Sequence, residues 1–437
     1  MSAPHTTAWE GRGLLALGAG VTLALGGVAL WLALSPPYAW TRETWAFSSS
    51  TPLTVLRSYL FRNAVANTAW LVLGTTPAVW LLAALWARVG VPSRGHMLLL
   101  APLFLPGAIA GLLWRPLLEP WLVLVQAELA LLATGLVIVW LATPPAAWLV
   151  AYRRRRAAAL LPVWYALTGA GLVLTLTRGE PFNASHTWPS WLLSTLWVTH
   201  GLGLAAVMSI GLAVTVAALL LLAGLWRARD RRDGPSPRVN RRGMVVALLW
   251  IGAPFVLAAL PVVTAPNRAW QGLLAAGLLP WIISWGLVIG ATAGVGRLMA
   301  RGVATVALPR WMPAAVVVQW LLWPVVLAWL GYQAAWLRSP IVLVVPSAVA
   351  AGLLLRWIAP GRVSFQLALG LSALLLAHAF ALEAALGFTP AQALPTLGAV
   401  MMTGEGDPAR RGLALLLHGG LALAGAWMLS KDNGRLP

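Results

Sequence analysis

Apolar runs of roughly 20 residues follow one another along almost the whole chain, each long enough to cross a hydrocarbon layer of about 30 Å as a helix. In lipid a backbone must satisfy its own hydrogen bonds, and helices do so within one segment. The expected fold class is therefore an all-α polytopic membrane protein with about twelve transmembrane helices. Composition agrees, with 60% hydrophobic and 9% charged residues, against about 25% charged in soluble domains. The first run, Leu14 to Leu34, has no small-residue cleavage site and is followed by further spans, so it is expected to remain as a helix.

The runs fall into two sets. In the first set they are Leu14 to Leu34, one from near Asn63, Met97 to Leu118, Leu129 to Tyr152, Ala157 to Thr177 and Leu202 to Trp226. In the second they lie near 244–264, 271–296, 312–332, 339–356, 364–386 and 412–429. Between the sets, RARDRRDGPSPRVNRR is polar, charged and broken by Gly and Pro, the composition of a linker. The expected organisation is a first six-helix half over 1–232, a linker over 233–243 and a second six-helix half over 244–437. Internal repeats of this kind place a solute path at their junction.

A formal net charge of +19 could indicate nucleic acid, but the arginines sit in short loops between apolar runs and not on one soluble face. Arg153, Arg154, Arg155 and Arg156 fill one such loop, and seven arginines lie between Arg227 and Arg242. The positive-inside rule then places these loops and both termini in the cytoplasm, with no nucleic-acid partner. Zero cysteines exclude disulfides and cysteine-held clusters. Lys431 is the only lysine and follows no Gly-rich run, so the chain has no P-loop with which to hydrolyse ATP. Without H-E-x-x-H or similar spacing, no metal, cofactor or enzymatic activity is expected.

Several motifs occur in an order that resembles a known family. Asn67-Thr68 stands near the start of the second run. Leu98 to Pro120, LLLAPLFLPGAIAGLLWRPLLEP, carries prolines and ends in Trp-Arg. Trp140 precedes Thr143-Pro144, and Leu174 to Ser185 supplies a Gly/Pro turn. In this order the chain resembles the paired permease subunits of maltose-type carbohydrate importers, the binding-protein-dependent branch of the ATP-binding-cassette transporters, here fused into one chain. Ser339-Pro340, Pro346 and Thr389 to Val400 resemble the partner subunit more faintly. The resemblance implies a bacterial inner-membrane location, a small polar solute such as a sugar, and neighbouring membrane or periplasmic subunits including a solute-binding protein.

The chain departs from that family at its coupling loops. Family members carry a cytoplasmic helix pair with E-A-A-x-x-x-G that seats in the ATPase. Here Tyr152 runs through Arg153 to Arg156 directly into the next span, and Arg356 to Arg362, RWIAPGR, is equally short. The one Glu-Ala-Ala, Glu383 to Ala385, has Gly387 too close behind it and lies at the outer end of a run. The loops argue against a directly coupled ATPase subunit.

Ionisable groups within spans are costly unless paired or hydrated, and so are candidate pathway residues. Glu128 reads as a solute or proton contact, or as a carboxylate reaching interfacial water. His378, Glu383 and His418 read as a cavity lining, as a His-His link between helices, or as the ligands of a haem. Asn67, Trp114 and Trp140 join the pathway set through the matched motifs. Arg115 reads as an anion contact or a snorkelling side chain. Most of the 27 tryptophans read as interfacial anchors. Arg153 to Arg156 suit anionic lipid or a protein partner.

Three functions remain open at this point. The first is a permease-type membrane subunit of a transport assembly, not directly ATP-coupled. The second is a degenerate permease acting as a non-transporting scaffold or receptor. The third is a haem- or quinone-associated anchor of a redox complex.

Overall fold

A computed structural model describes residues 8–34, 38–40, 45–47, 56–90, 96–122, 127–151, 155–177, 184–197, 202–227, 240–275, 278–302, 312–333, 344–358, 364–385 and 407–430. Over these residues the chain is almost entirely helical. Five helices are long and apolar enough to cross a membrane, or seven if each of two bent pairs counts as one span. Helices long and apolar enough to cross a membrane are thus present among the described residues, in smaller number than the twelve expected. The linker over 233–243 lies outside the described residues up to Val239.

Helix α1 spans Ala8–Leu34. A short antiparallel hairpin follows, β1 (Tyr38–Trp40) against β2 (Trp45–Phe47), with Tyr38 opposite Phe47 and Trp40 opposite Trp45. This strand pair is a small local feature of an almost entirely helical fold. Helix α2 (Tyr59–Val89) begins where the Ser58 hydroxyl accepts the Phe61 N–H, and ends at Gly90, whose φ of 115° favours glycine.

Helix α3 (His96–Leu100) runs into a 3-10 turn at Ala101–Phe104, and α4 (Gly107–Leu122) then leaves at 104° to that stretch. The run expected as one helix over Met97 to Leu118 is therefore two. Pro106 has no N–H to offer and holds Leu105 in an extended conformation, φ −86° and ψ 116°. Helix α5 (Ala127–Ala151) continues through Pro144 and Pro145. Helices α6 (Arg155–Thr168) and α7 (Ala170–Leu176) meet at 61° across Gly169, so the fifth run is also broken. Between this run and the one from Leu202 lies a further short helix, α8 (Trp188–Trp197).

The remaining helices are α9 (Leu202–Arg227), α10 (Arg241–Thr264), α11 (Pro266–Ala275), α12 (Leu278–Gly302), α13 (Met312–Gln333), α14 (Val344–Ile358), α15 (Phe365–Ala385) and α16 (Pro408–Ser430). The run over 271–296 is likewise divided, its start belonging to the short α11. Asp407 opens α16 by accepting the Ala409 and Arg410 N–H groups, and it pairs with Arg268 of α11 at 3.3 Å.

Helix α5 is the spine of the bundle. Over its apolar stretch 78% of the residues are buried inside the protein, against 28% for α2 and 22% for α10. Helices α2, α4 and α6 surround it, α1, α9 and α13 pack together, and α12, α14 and α15 form a third group. Helix α16 lies against α10, α11, α15 and the 3-10 turn. Elements from the two ends of the sequence therefore interleave, as where α13 packs on α9 and α1. Outward faces are apolar, with Trp70, Leu73 and Trp80 on α2 and Leu249, Val256 and Val263 on α10 exposed. Such faces suit lipid and would be a liability in water.

Candidate functional site

The two broken helices meet at their breaks. Built on Gly107, a Cβ would stand 3.2 Å from the Leu172 nitrogen, and on Gly171 one would stand 3.0 Å from the Ala108 Cβ. On Gly111 it would lie 2.9 Å from the Leu172 oxygen and collide with the Thr175 hydroxyl. Only hydrogen at these positions lets α4 and α7 approach so closely. At Gly169 an added Cβ would strike the Tyr165 carbonyl oxygen, so glycine is required at the bend itself.

A break inside an apolar bundle frees backbone groups that must be paired. The Tyr165 hydroxyl donates to the Pro102 carbonyl at 3.0 Å, and the Thr175 hydroxyl is shared between the Gly171 carbonyl of its own helix at 2.8 Å and the Ala108 carbonyl of α4 at 3.0 Å. The Gly169 N–H reaches the Tyr165 carbonyl at 2.8 Å. Both side-chain contacts run from α6 and α7 to the carbonyls on either side of the α3–α4 break, and the break at Gly169 is bridged by its own backbone. Discontinuous helices of this kind line solute and ion sites in many transporters.

Beside the crossing runs a chain of four tryptophans. Trp114 of α4 meets Trp140 of α5 edge to face at 5.7 Å, and Trp86 of α2 meets Trp250 of α10 at 5.9 Å. The two pairs are joined reciprocally: the Trp140 indole N–H donates to the Trp250 carbonyl at 2.7 Å, and the Trp250 indole N–H donates to the Trp140 carbonyl at 3.1 Å. The indole N–H groups of Trp86 and Trp114 are buried and have no acceptor. These two donors border the seam where α10 joins α2, α4 and α5.

No family model, curated protein or solved structure matches the chain.

The sequence-derived pathway residues do not gather at one point. Asn67 is a clamp: its side-chain amide donates to the carbonyls of Ala184 and His186 at 2.7 and 2.8 Å, while its neighbour Thr68 accepts the Trp188 N–H at 2.8 Å. Together they hold the start of α8 on α2. Trp140 serves the indole clasp, and Trp114 is the pathway candidate that retains an unused donor. Glu128 is exposed in the first turn of α5. His418 is buried in α16 with Nδ1 3.0 Å from the Ala414 carbonyl of its own helix. His378 and Glu383 lie on α15, but their side chains are outside the described residues, as are those of Arg155 and Arg156; Arg153 and Arg154 are outside altogether.

Sequence reasoning missed Tyr165, Thr175 and the glycines of the crossing. Pro106 and Gly169 were the available signals, each a helix breaker within an apolar run.

Proposed function

We propose that the chain is a permease-type membrane subunit of a transport assembly for a small polar solute such as a sugar, in a bacterial inner membrane, and that it is not itself coupled to an ATPase. The observation that carries this reading is the pair of discontinuous helices crossing beside α5. An unbroken helix satisfies its backbone more simply, so paired breaks are a feature to be explained by use. The unused indole donors of Trp86 and Trp114 support it, since a solute oxygen would satisfy them. The ordered motifs from Asn67 to Ser185 and the short loops around Arg153 to Arg156 and Arg356 to Arg362 give it its family colour and its lack of a motor contact. On this reading about twelve spans form two related halves with both termini in the cytoplasm.

One set of contacts favours the scaffold reading instead. Asn67, Trp140, Tyr165 and Thr175 all spend their donors on the chain's own carbonyls. Counterflow of labelled sugars into vesicles holding the protein and whatever subunits co-purify separates the two. The permease reading expects exchange without added ATP, reduced several-fold in Trp114→Phe with its melting temperature unchanged. Uptake that strictly requires ATP contradicts the uncoupled assignment, and no exchange of any polar solute favours the scaffold.

A further inference from the structure

Helix α10 begins beside the end of α2. The Asn240 side-chain amide donates to the Val89 carbonyl at 3.4 Å, while its oxygen accepts the Arg242 N–H at 3.1 Å. Arg88, the residue before Val89, and Arg242 are thereby brought to one end of a single seam from two elements far apart in sequence. Both are exposed, and neither makes an ion pair among the described residues. The sequence that leads into α10 adds arginine in excess, with seven between Arg227 and Arg242 against the two acids Asp230 and Asp233.

An apolar stripe runs from each arginine into the bundle's outer surface. On α2, Leu81 and Leu85 precede Arg88 at helical spacing, and on α10, Val245 and Leu249 follow Arg242 in the same way. All four apolar side chains are exposed. Trp86 and Trp250 face each other across the seam, and Leu85 and Leu249 each precede one of these tryptophans by one residue. Because the two helices run in opposite senses, that shared step turns both leucines to the same side of the seam. The stripes therefore form one surface with an arginine at the same end of each. Helices α2 and α10 are also the least buried of the five long apolar helices.

We propose that this end of the α2–α10 seam binds an anionic phospholipid, with Arg88 and Arg242 on its phosphate and the two stripes against its acyl chains. The guanidinium fork matches phosphate oxygens. The exposed leucine and valine rows suit hydrocarbon and not water. A lipid carries both chemistries in that order, whereas a free phosphate would leave the stripes uncovered. The cationic choline or ethanolamine of a neutral lipid would be repelled by the same arginines, so the preference is for a net negative headgroup. The assignment holds for a permease and for a scaffold alike.

The test uses the full chain in phosphatidylcholine nanodiscs doped with a phosphatidylglycerol that carries a diazirine on its acyl chain, or with phosphatidylcholine carrying the same group. After illumination, adducts mapped by mass spectrometry should fall on Leu81, Leu85, Val245 and Leu249 about tenfold more often with the phosphatidylglycerol, at roughly fivefold for each arginine. Arg88→Gln combined with Arg242→Gln should remove most of that excess. Arg297→Gln combined with Arg301→Gln, an equal loss of charge at the end of α12, should keep it, and added inorganic phosphate should not compete. Equal labelling by the two lipids in the unaltered protein means that the surface meets bulk lipid only, and overturns the proposal without need of any variant. An excess undiminished in the folded Arg88 and Arg242 double variant overturns it too, and competition by phosphate would replace the lipid with a free anion.

Discussion

Trp140 and Trp250 each donate to the other's backbone carbonyl, at 2.7 and 3.1 Å, across a seam between α5 and α10. Replacing either by Phe removes one bond and keeps most of the ring. The expected cost is about 0.5–1.5 kcal/mol for each single variant, the range of hydrogen bonds inside proteins and membranes. Because both bonds fix the same contact, the double variant should cost measurably less than the sum of the singles. Reversible unfolding in mixed detergent checks both numbers, and strict additivity would mean that the clasp is two unrelated contacts. Trp140 also shows how much of the site was legible. Its importance could be inferred from the Thr143-Pro144 that follows it, but not its role, because its partner lies 110 positions away and indole spacing carries no pairing signal.

At the scale of the element, the crossing of α4 and α7 depends on glycine at specific positions. Gly111→Ala places a Cβ 2.9 Å from the Leu172 oxygen, backbone that cannot swing aside, and should destabilise by about 1–3 kcal/mol. Gly74→Ala, on an open face of α2 with nothing within 4 Å, should be neutral or stabilising by up to about 1 kcal/mol. Melting temperatures of the two variants in the same lipid check the contrast; equal effects would mean that the helices are not in contact at Gly111. Helices α9 and α10 were readable within a few residues, since Leu202–Arg227 and Arg241–Thr264 are apolar runs flanked by charge. The breaks after Leu105 and at Gly169 were not, because membrane helices tolerate Pro and Gly, as α5 does at Pro144 and Pro145. Hydropathy is continuous across both bends. Helix α8 was hidden by its length, ten residues being too few to span a bilayer.

For the molecule as a whole, the burial of α5 and the interleaving of α13 with α9 and of α16 with the 3-10 turn make one interlocked bundle rather than two detachable ones. Apolar runs told of helices and of a membrane, while the order of packing came from contacts far apart in sequence, such as Gln319 to Gly18. What such a bundle does depends on what meets its short basic loops. The central claim is that a permease-type subunit works here without a nucleotide-driven motor. Gentle extraction into nanodiscs, followed by mass-spectrometric identification of every stoichiometric component, tests it most directly. Membrane or periplasmic partners with no ATPase among them are the predicted result, and an ATPase recovered in fixed proportion with the chain would contradict it.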